Sequence, residues 1–308
     1  MLFALEARYP APNFERISVT SFGSIFRLSQ NRRLGYVPVP KSGRFNEYGH
    51  LGVSHQLEKP SGVKRIVFIG DSVTEGIGTA ESKRFTALLA KELGNKYEVI
   101  NLAVRGYNLV QSAEYLKEVG LKFSPDIVVF GITFNDLFND SGELKELADK
   151  VLAAKQSNYF WAYYSTATGI EHYLMYSRLY RHLKYIYLQL ASKKRKMSSS
   201  EKAFGTFAEK LKEREVVETV SALSDLAKNE KFTLHFLFLP FRAPSEDKDL
   251  IAQVVSKKGI ASLDLHQLAE KDLDEQKRNS LYRLGDPCHF VYSGHQWVAK
   301  HLKDYLTK

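Results

Sequence analysis

The most constraining feature of the sequence is a short apolar run that ends in a glycine, an aspartate and a serine. Residues 65–69 (Arg-Ile-Val-Phe-Ile) contain four consecutive apolar side chains, which is typical of a strand buried inside a parallel sheet. Gly70, Asp71 and Ser72 follow directly. Ligands of open α/β sheets bind outside the carboxyl ends of the strands, so Ser72 stands at a position suited to chemistry. The alternative is that Gly70 and Ser72 only form a turn and cap a helix.

The rest of the chain repeats this alternation of buried runs and helical patterns. The further apolar runs are predicted to be strands, at 99–104, 126–132, 233–239 and 260–265. Thr79 is the expected N-cap of the first long helix, and residues 293–306 are expected to close the chain as a helix. Five strands alternating with helices predict a three-layer α/β/α fold with a doubly wound, five-stranded parallel sheet.

Two segments do not fit this alternation. Residues 1–64 are rich in proline and glycine, and we interpret them as an N-terminal arm packed on the main domain of residues 65–308. An insertion at about 141–203 separates the third and fourth strands and is helical in composition. Its aromatic cluster at 159–164 is either a core stripe or part of a lid or membrane-facing surface. We favour the core, because aromatic stripes at helical spacing are usually buried.

Composition limits the class of protein and its partners. The chain has 308 residues, a net charge of +9 and one cysteine, Cys288. The charge favours contact with anionic material, including an anionic membrane surface. The basic run at 193–196 is typical of a solvated loop, so no nucleic-acid partner is expected. No apolar run of about 18 residues occurs, so we expect no transmembrane segment. The apolar start at 1–5 leaves the compartment open, and the oligomeric state is not indicated.

A serine hydroxyl needs a base and an oxyanion site before it can act as a nucleophile. Gly106 follows the second strand, where a glycine lets the backbone N–H approach a ligand. Asn135 follows the third strand and carries an amide donor. The alternatives are that Gly106 is a turn glycine and that Asn135 and Asp136 cap the next helix. Each alternative is at least as plausible as the functional interpretation when its residue is taken alone.

The best candidate for the base is His289, one of nine histidines in the chain. Asp286 lies three residues earlier, so a local turn brings its carboxylate to Nδ1 and leaves Nε2 for Ser72. His266 is a weaker rival, because it would open a helix. His235 lies inside a predicted strand, and we interpret it as a core residue. Metal-ligand clusters and phosphate-loop spacing were not found, so no metal and no cofactor are expected.

Taken together, these residues resemble the blocks of the SGNH hydrolases, the GDSL-type lipases, esterases and acylhydrolases. The serine block at 70–76, Gly106, Asn135 and the pair Asp286 and His289 occur in the family's order. The resemblance covers about 65–306, and the segment 34–52 is also similar to bacterial members. One block departs from the usual pattern, because Thr133 stands where the family commonly has glycine, two residues before the asparagine.

The resemblance implies a flavodoxin-like fold and a site for ester hydrolysis. Ser72 would be the nucleophile, His289 the general base and then acid, and Asp286 the residue that orients it. The N–H groups of Ser72 and Gly106 and the Asn135 side chain would form the oxyanion hole. The implied substrate is a small acyl ester, acetyl included, of a carbohydrate or lipid. Two alternatives are an O-acyltransferase that uses the same site and a non-catalytic scaffold.

Overall fold

A computed structural model describes residues 26–31, 33–34, 36–42, 45–134, 136–137, 199–242, 246–283, 286 and 288–307. Its strands are β1 (Phe26–Leu28), β2 (Tyr36–Pro38), β3 (Lys64–Ile69), β4 (Tyr97–Asn101), β5 (Ile127–Ile132), β6 (Thr233–Phe238) and β7 (Ala261–Asp264). Its helices are α1 (Ser72–Glu75), α2 (Phe85–Leu93), α3 (Leu109–Glu118), α4 (Ser199–Glu230), α5 (Glu246–Lys257), α6 (Leu265–Asp272), α7 (Glu275–Asn279) and α8 (Tyr292–Leu306).

The central sheet is parallel throughout, with five strands in the order β4-β3-β5-β6-β7. The first strand of the sheet, β3, therefore lies inside it, and the chain winds outward in both directions. This confirms the predicted doubly wound sheet. In such a sheet the point where the winding reverses lies between β3 and β5, which is where ligands bind.

Helices cover both faces of the sheet, as the apolar character of the strands predicted. Val67 and Ile69 of β3 pack with α3, α4 and α5 in one cluster, whereas Ile66 and Phe68 pack with α2 and α8 in the other. Alternate side chains of a strand point to opposite faces, so this continuous apolar run needs helices on both sides. The three-layer architecture follows from that requirement.

Two local predictions were wrong in detail. The second strand is two residues earlier than predicted, at β4, although the loop after it still bonds to β3: Leu102 N–H donates to Phe68 O at 2.9 Å. Thr79 does not cap a helix, because its hydroxyl donates to the carbonyl oxygen of Phe290 at 3.3 Å. Helix α2 instead begins at Phe85, whose N–H donates to Nδ1 of the buried His295 at 3.2 Å.

Part of the chain before β3 lies against the β4 edge of the sheet. Strands β1 and β2 pair antiparallel, and Leu51 forms an antiparallel bridge with Asn101 at the end of β4. Bridging at this edge satisfies backbone groups that an edge strand otherwise exposes. The aromatic cluster 159–164 lies outside the described residues, as does most of the insertion at 141–203. Among the described helices, none has the length and hydropathy needed to cross a membrane.

Two glycines at the ends of β3 and β5 make room for Thr74 of α1. A Cβ at Gly131 would lie 2.0 Å from Thr74 Oγ1, and a Cβ at Gly70 would lie 2.6 Å from the same atom. Thr74 is fully buried, so it has no space to move away. Helix α1 therefore packs closer to the sheet than a side chain at either glycine would allow.

We expect Gly131→Ala to lower the free energy of unfolding by about 1–3 kcal/mol, because the added methyl overpacks a closed site. Thr74→Ala removes the oxygen that this methyl would meet. The double variant should therefore be less destabilised than the sum of the two single changes. Urea unfolding of the four proteins measures this coupling, and strictly additive losses would show that the two side chains do not compete for space.

Candidate active site

Ser72 is held on a single helical turn directly after β3. It is the first residue of α1, and Asp71 caps this helix by accepting the Val73 N–H at 2.9 Å. Gly76 ends the helix in the left-handed conformation, with φ at 78°. Asp71 is an ordinary N-cap residue, and a left-handed C-cap favours glycine. The sequence Asp-Ser-Val-Thr-Glu-Gly therefore specifies this short turn, and Ser72 is half-buried at its start.

A chain of two hydrogen bonds joins Ser72, His289 and Asp286. Ser72 Oγ lies 2.8 Å from His289 Nε2, and His289 Nδ1 lies 2.8 Å from Asp286 Oδ2. The partner of Nδ1 sets the tautomer, since an ionised carboxylate only accepts. With the hydrogen on Nδ1, Nε2 can accept the Ser72 proton. These are the relations that a serine nucleophile needs.

The Asp286 carboxylate is ionised over the whole useful pH range. Burial alone would raise its pKa, but hydrogen bonds from His289 and Cys288 and the charge of His289 lower the pKa to about 2. Its second oxygen accepts the backbone N–H groups of His289, at 2.8 Å, and Cys288, at 3.0 Å. Asp286 thus fixes the fold of the loop as well as the orientation of the imidazole.

Arg283 ties the histidine loop to the loop after the serine helix. Its backbone N–H donates to His289 O at 3.0 Å, and its guanidinium donates to the carbonyl oxygen of Ile77. Gly78 makes this contact possible, because a Cβ there would lie 1.4 Å from Arg283 Nη2. The Gly76-Ile77-Gly78 segment lacks phosphate-loop spacing. Its structural role is to give the Arg283 guanidinium the space to reach the Ile77 carbonyl oxygen.

A buried ion pair holds the loop that carries Gly106. The Arg105 guanidinium Nε lies 3.1 Å from Glu75 Oε2. The backbone N–H of Arg105 donates to the same oxygen at 2.8 Å. Glu75 belongs to the serine helix and is 1% exposed, and Arg105 is 7% exposed. Gly106 itself is exposed and has φ at 78°. The ion pair therefore joins the helix that carries Ser72 to the loop that carries Gly106.

Thr133, the departure from the family pattern, lies between two buried carboxylates. Its Oγ1 is 3.1 Å from Asp71 Oδ2 and 3.2 Å from Asp136 Oδ2. Its backbone N–H also donates to Asp136. A hydroxyl replaces the usual glycine here and links the third block to the serine block. Asn135, the predicted amide donor, lies outside the described residues.

The other histidine candidates are engaged elsewhere. His266 stacks on Phe241 with ring centroids 4.1 Å apart, and its Nδ1 accepts the Phe241 N–H at 3.3 Å. His235 Nδ1 lies 2.9 Å from the Tyr305 hydroxyl. His289 is thus the histidine that the described structure brings to Ser72. Sequence reasoning found it through Asp286, three residues away.

Sequence reasoning missed the residues that join the loops, namely Glu75, Arg105 and Arg283. The signal for the first two was weak but present, because a glutamate in an otherwise buried turn requires a partner. Arg105 stands directly before the candidate glycine. Nothing local distinguishes Arg283, whose contact with Ile77 spans more than two hundred residues of sequence.

Among the described residues, three side chains of the histidine loop could in principle bind a metal ion. One ligand atom each from Asp286, Cys288 and His289 lies within 4.8 Å of the others. His289 Nδ1 already binds Asp286. Burial, followed by the charge of Asp286, raises the pKa of the Cys288 thiol far above its usual value, which disfavours the thiolate that binds metals. The set is better suited to orienting His289 than to holding an ion.

We expect Asp71→Asn to change how stability depends on pH. Burial raises the pKa of Asp71, against the lowering effects of His289 and the Val73 N–H. The native state therefore holds this proton more tightly than the unfolded chain, so the contribution of Asp71 to the free energy of unfolding falls as pH rises above about 4. Asparagine keeps the cap and has no such titration. Urea unfolding between pH 4 and 8 should show the variant gaining on the wild type as pH rises.

The matched control is Asp274→Asn. Asp274 also caps a helix, α7, but it is exposed, and the Lys277 N–H that it accepts lowers its pKa. Here the unfolded chain holds the proton more tightly, so the wild type gains on this variant only below about pH 4, and the difference between the two should stay nearly constant from about pH 4 to 8. Identical pH dependence of the two variants would contradict the assigned environment of Asp71.

Comparison with known proteins identifies the family of this chain. The model of the GDSL-like lipase/acylhydrolase family matches residues 68–297, a range that includes Ser72 and His289. No curated protein matches the sequence. Among solved structures, the chain is similar to a lipase/acylhydrolase from Enterococcus faecalis, at 13% identity and a TM-score of 0.48, over 79% of this chain and 95% of that one. It is also similar to an acetyl xylan esterase, at 13% identity and a TM-score of 0.47, over 78% of this chain and 98% of that one. On the extent of the family match, this chain belongs to the GDSL-like lipase/acylhydrolase family and is a serine hydrolase.

Proposed function

We propose that this chain is an esterase that removes small acyl groups, acetyl included, from a carbohydrate or lipid through an acyl-enzyme. The observation that carries the proposal is the chain of two 2.8 Å hydrogen bonds from Ser72 through His289 to Asp286. That geometry supplies a nucleophile, a base and a group that orients the base. The net charge of +9 supports an anionic substrate or surface.

In the first half of the reaction, Ser72 Oγ attacks the ester carbonyl carbon while its proton passes to His289 Nε2. The electron pair of the carbonyl bond moves to oxygen, and the N–H groups of Ser72 and Gly106 with the Asn135 amide stabilise this oxyanion. Each such donor typically lowers the barrier by about 3 kcal/mol. When the tetrahedral intermediate collapses, the bond to the alcohol breaks and His289 returns the proton to the leaving oxygen.

In the second half, water attacks the acyl-enzyme and His289 takes its proton. Collapse then breaks the bond to Ser72, which regains a proton from His289, and the carboxylic acid leaves. Asp286 remains ionised throughout, because its pKa of about 2 lies below any working pH. Its role is to stabilise the imidazolium that forms in each half-reaction.

We also propose roles for two further segments of the chain. Residues 1–64 form an arm on the hydrolase domain of 65–308, and the insertion at about 141–203 lies in the crossover between β5 and β6. The contact of Leu51 with Asn101, at the end of β4, supports the docking of the arm. An insertion after β5 starts at the edge of the sheet where Ser72 lies, which suits a role in substrate access.

We expect Ser72→Ala to lower turnover of p-nitrophenyl acetate by at least about 10³-fold, because no other group replaces the nucleophile. The matched control is Ser256→Ala, a change at an exposed serine in α5, which should keep wild-type turnover. A fluorophosphonate probe should label wild-type protein at Ser72 and should not label the Ser72→Ala or His289→Ala variants. Unchanged turnover in folded Ser72→Ala protein would overturn the assignment.

A panel of esters tests the substrate class. We expect kcat/KM to be highest for the p-nitrophenyl acetyl ester and to fall by at least about tenfold for acyl chains of eight carbons or more. The panel is repeated with sugar acceptors present, and free acid and sugar ester are both measured. Faster reaction of long chains would contradict the small-acyl proposal. If sugar ester were the main product, the assigned reaction would change from hydrolysis to acyl transfer at the same site.

A further inference from the structure

A tyrosine of the N-terminal arm reaches the loop that carries Gly106. Tyr36, in β2, donates its hydroxyl to the carbonyl oxygen of Arg105 at 2.6 Å. Its ring packs edge-on against Phe26, with ring centroids 5.5 Å apart. It also packs at a tilt against Tyr107, with ring centroids 5.3 Å apart. The ring is thus fixed on two sides. The hydroxyl is the polar end of this aromatic cluster, and it is directed to the backbone next to Gly106.

The Arg105 carbonyl and the Gly106 N–H are two ends of one peptide group. Because a peptide group is planar, a hydrogen bond that fixes its oxygen also fixes the direction in which its N–H points. Donation to the oxygen further polarises the group, since linked hydrogen bonds strengthen one another. The preceding N–H, that of Arg105, is already held by Glu75 at 2.8 Å. Two consecutive peptide groups are therefore held, the one before Arg105 by Glu75 and the one between Arg105 and Gly106 by Tyr36.

The same hydroxyl accounts for glycine at position 106. A Cβ there would lie 2.6 Å from Tyr36 Oη, and φ is 78°. A side chain at 106 would be strained by the backbone conformation and would also displace the tyrosine. The close approach of Tyr36 and the identity of Gly106 are thus linked.

We propose that Tyr36 is a positioning residue of the active site, which directs the Gly106 N–H toward the oxyanion through the Arg105 carbonyl. This inference rests on the proposed function, because it assumes that Gly106 donates to the oxyanion. It gives the arm a part in catalysis that neither the family match nor the triad assigns. Tyr36 touches no reacting atom, so its effect passes through the peptide that it holds.

Tyr36→Phe removes the hydroxyl and keeps the packed ring. We expect kcat for p-nitrophenyl acetate to fall by about tenfold with KM nearly unchanged, because the lost restraint weakens stabilisation of the transition state and not binding of the ester. A tenfold loss is less than the 10²–10³ typical of removing a whole donor. The affinity for a methyl trifluoromethyl ketone, which forms an oxyanion on the serine, should fall by a similar factor.

The matched control is Tyr48→Phe. Tyr48 belongs to the same arm, but its ring contacts Phe123, at a centroid distance of 5.5 Å, and His50, at 6.3 Å. We expect this control to keep wild-type kcat and wild-type affinity for the ketone. All rates are referred to active sites titrated with the fluorophosphonate, so that any unfolded protein is not counted.

The outcomes separate this inference from the proposed function. If Ser72→Ala is inactive while Tyr36→Phe keeps wild-type kcat and ketone affinity, the inference is wrong and the esterase assignment stands. A rise in KM with unchanged kcat would also overturn it, because that result indicates a role in binding. If Ser72→Ala stays active, the proposed function itself fails. A loss of kcat together with ketone affinity, absent from Tyr48→Phe, supports the inference.

Discussion

The structure depends most on the buried pair of Glu75 and Arg105. An unpaired charge at such a site typically costs about 3–5 kcal/mol, so the chain can bury Glu75 on the serine helix only where Arg105 meets it. The carboxylate accepts from both the side chain and the backbone N–H of Arg105. That requirement fixes the loop after β4 against the helix after β3. The position of Gly106 relative to Ser72 is a consequence of this contact.

Other polar groups of α1, and its N-cap residue Asp71, also hold neighbouring loops in place through hydrogen bonds. Asp71 contacts Thr133 after β5, and the Thr74 carbonyl oxygen accepts from the Asn101 side chain at the end of β4 at 2.8 Å. A four-residue helix has too few internal hydrogen bonds to be stable alone. It persists because neighbouring loops form hydrogen bonds with its polar groups. The Ser72 side chain contacts the histidine loop through His289 Nε2 at 2.8 Å, so the contacts of α1 with its neighbours also fix the position of this hydroxyl.

How far the sequence predicts this structure depends on whether the information is local. The strands β3 and β5 and the pair Asp286 and His289 were predictable, because apolar runs and a three-residue spacing are local signals. Parallel strands also end at one edge, so distant motifs meet there without further information. The capping role of Thr79 was predicted wrongly, because its hydroxyl bonds to Phe290 from a remote part of the chain. Glu75 and Arg105 were missed for the same reason, since only the fold brings them together.

The contact of Tyr36 with Arg105 extends this reasoning to the arm. Residues 26–64 have few strand or helix signals, and their packing beside β4 follows from apolar contacts such as that of Tyr36 with Tyr107. A carbonyl oxygen beside a half-buried ring needs a donor, and the tyrosine hydroxyl supplies it. The restraint on the Gly106 peptide therefore arises from ordinary satisfaction of a backbone group. An arm that docks for packing reasons can in this way set the direction of the Gly106 N–H, the proposed oxyanion donor.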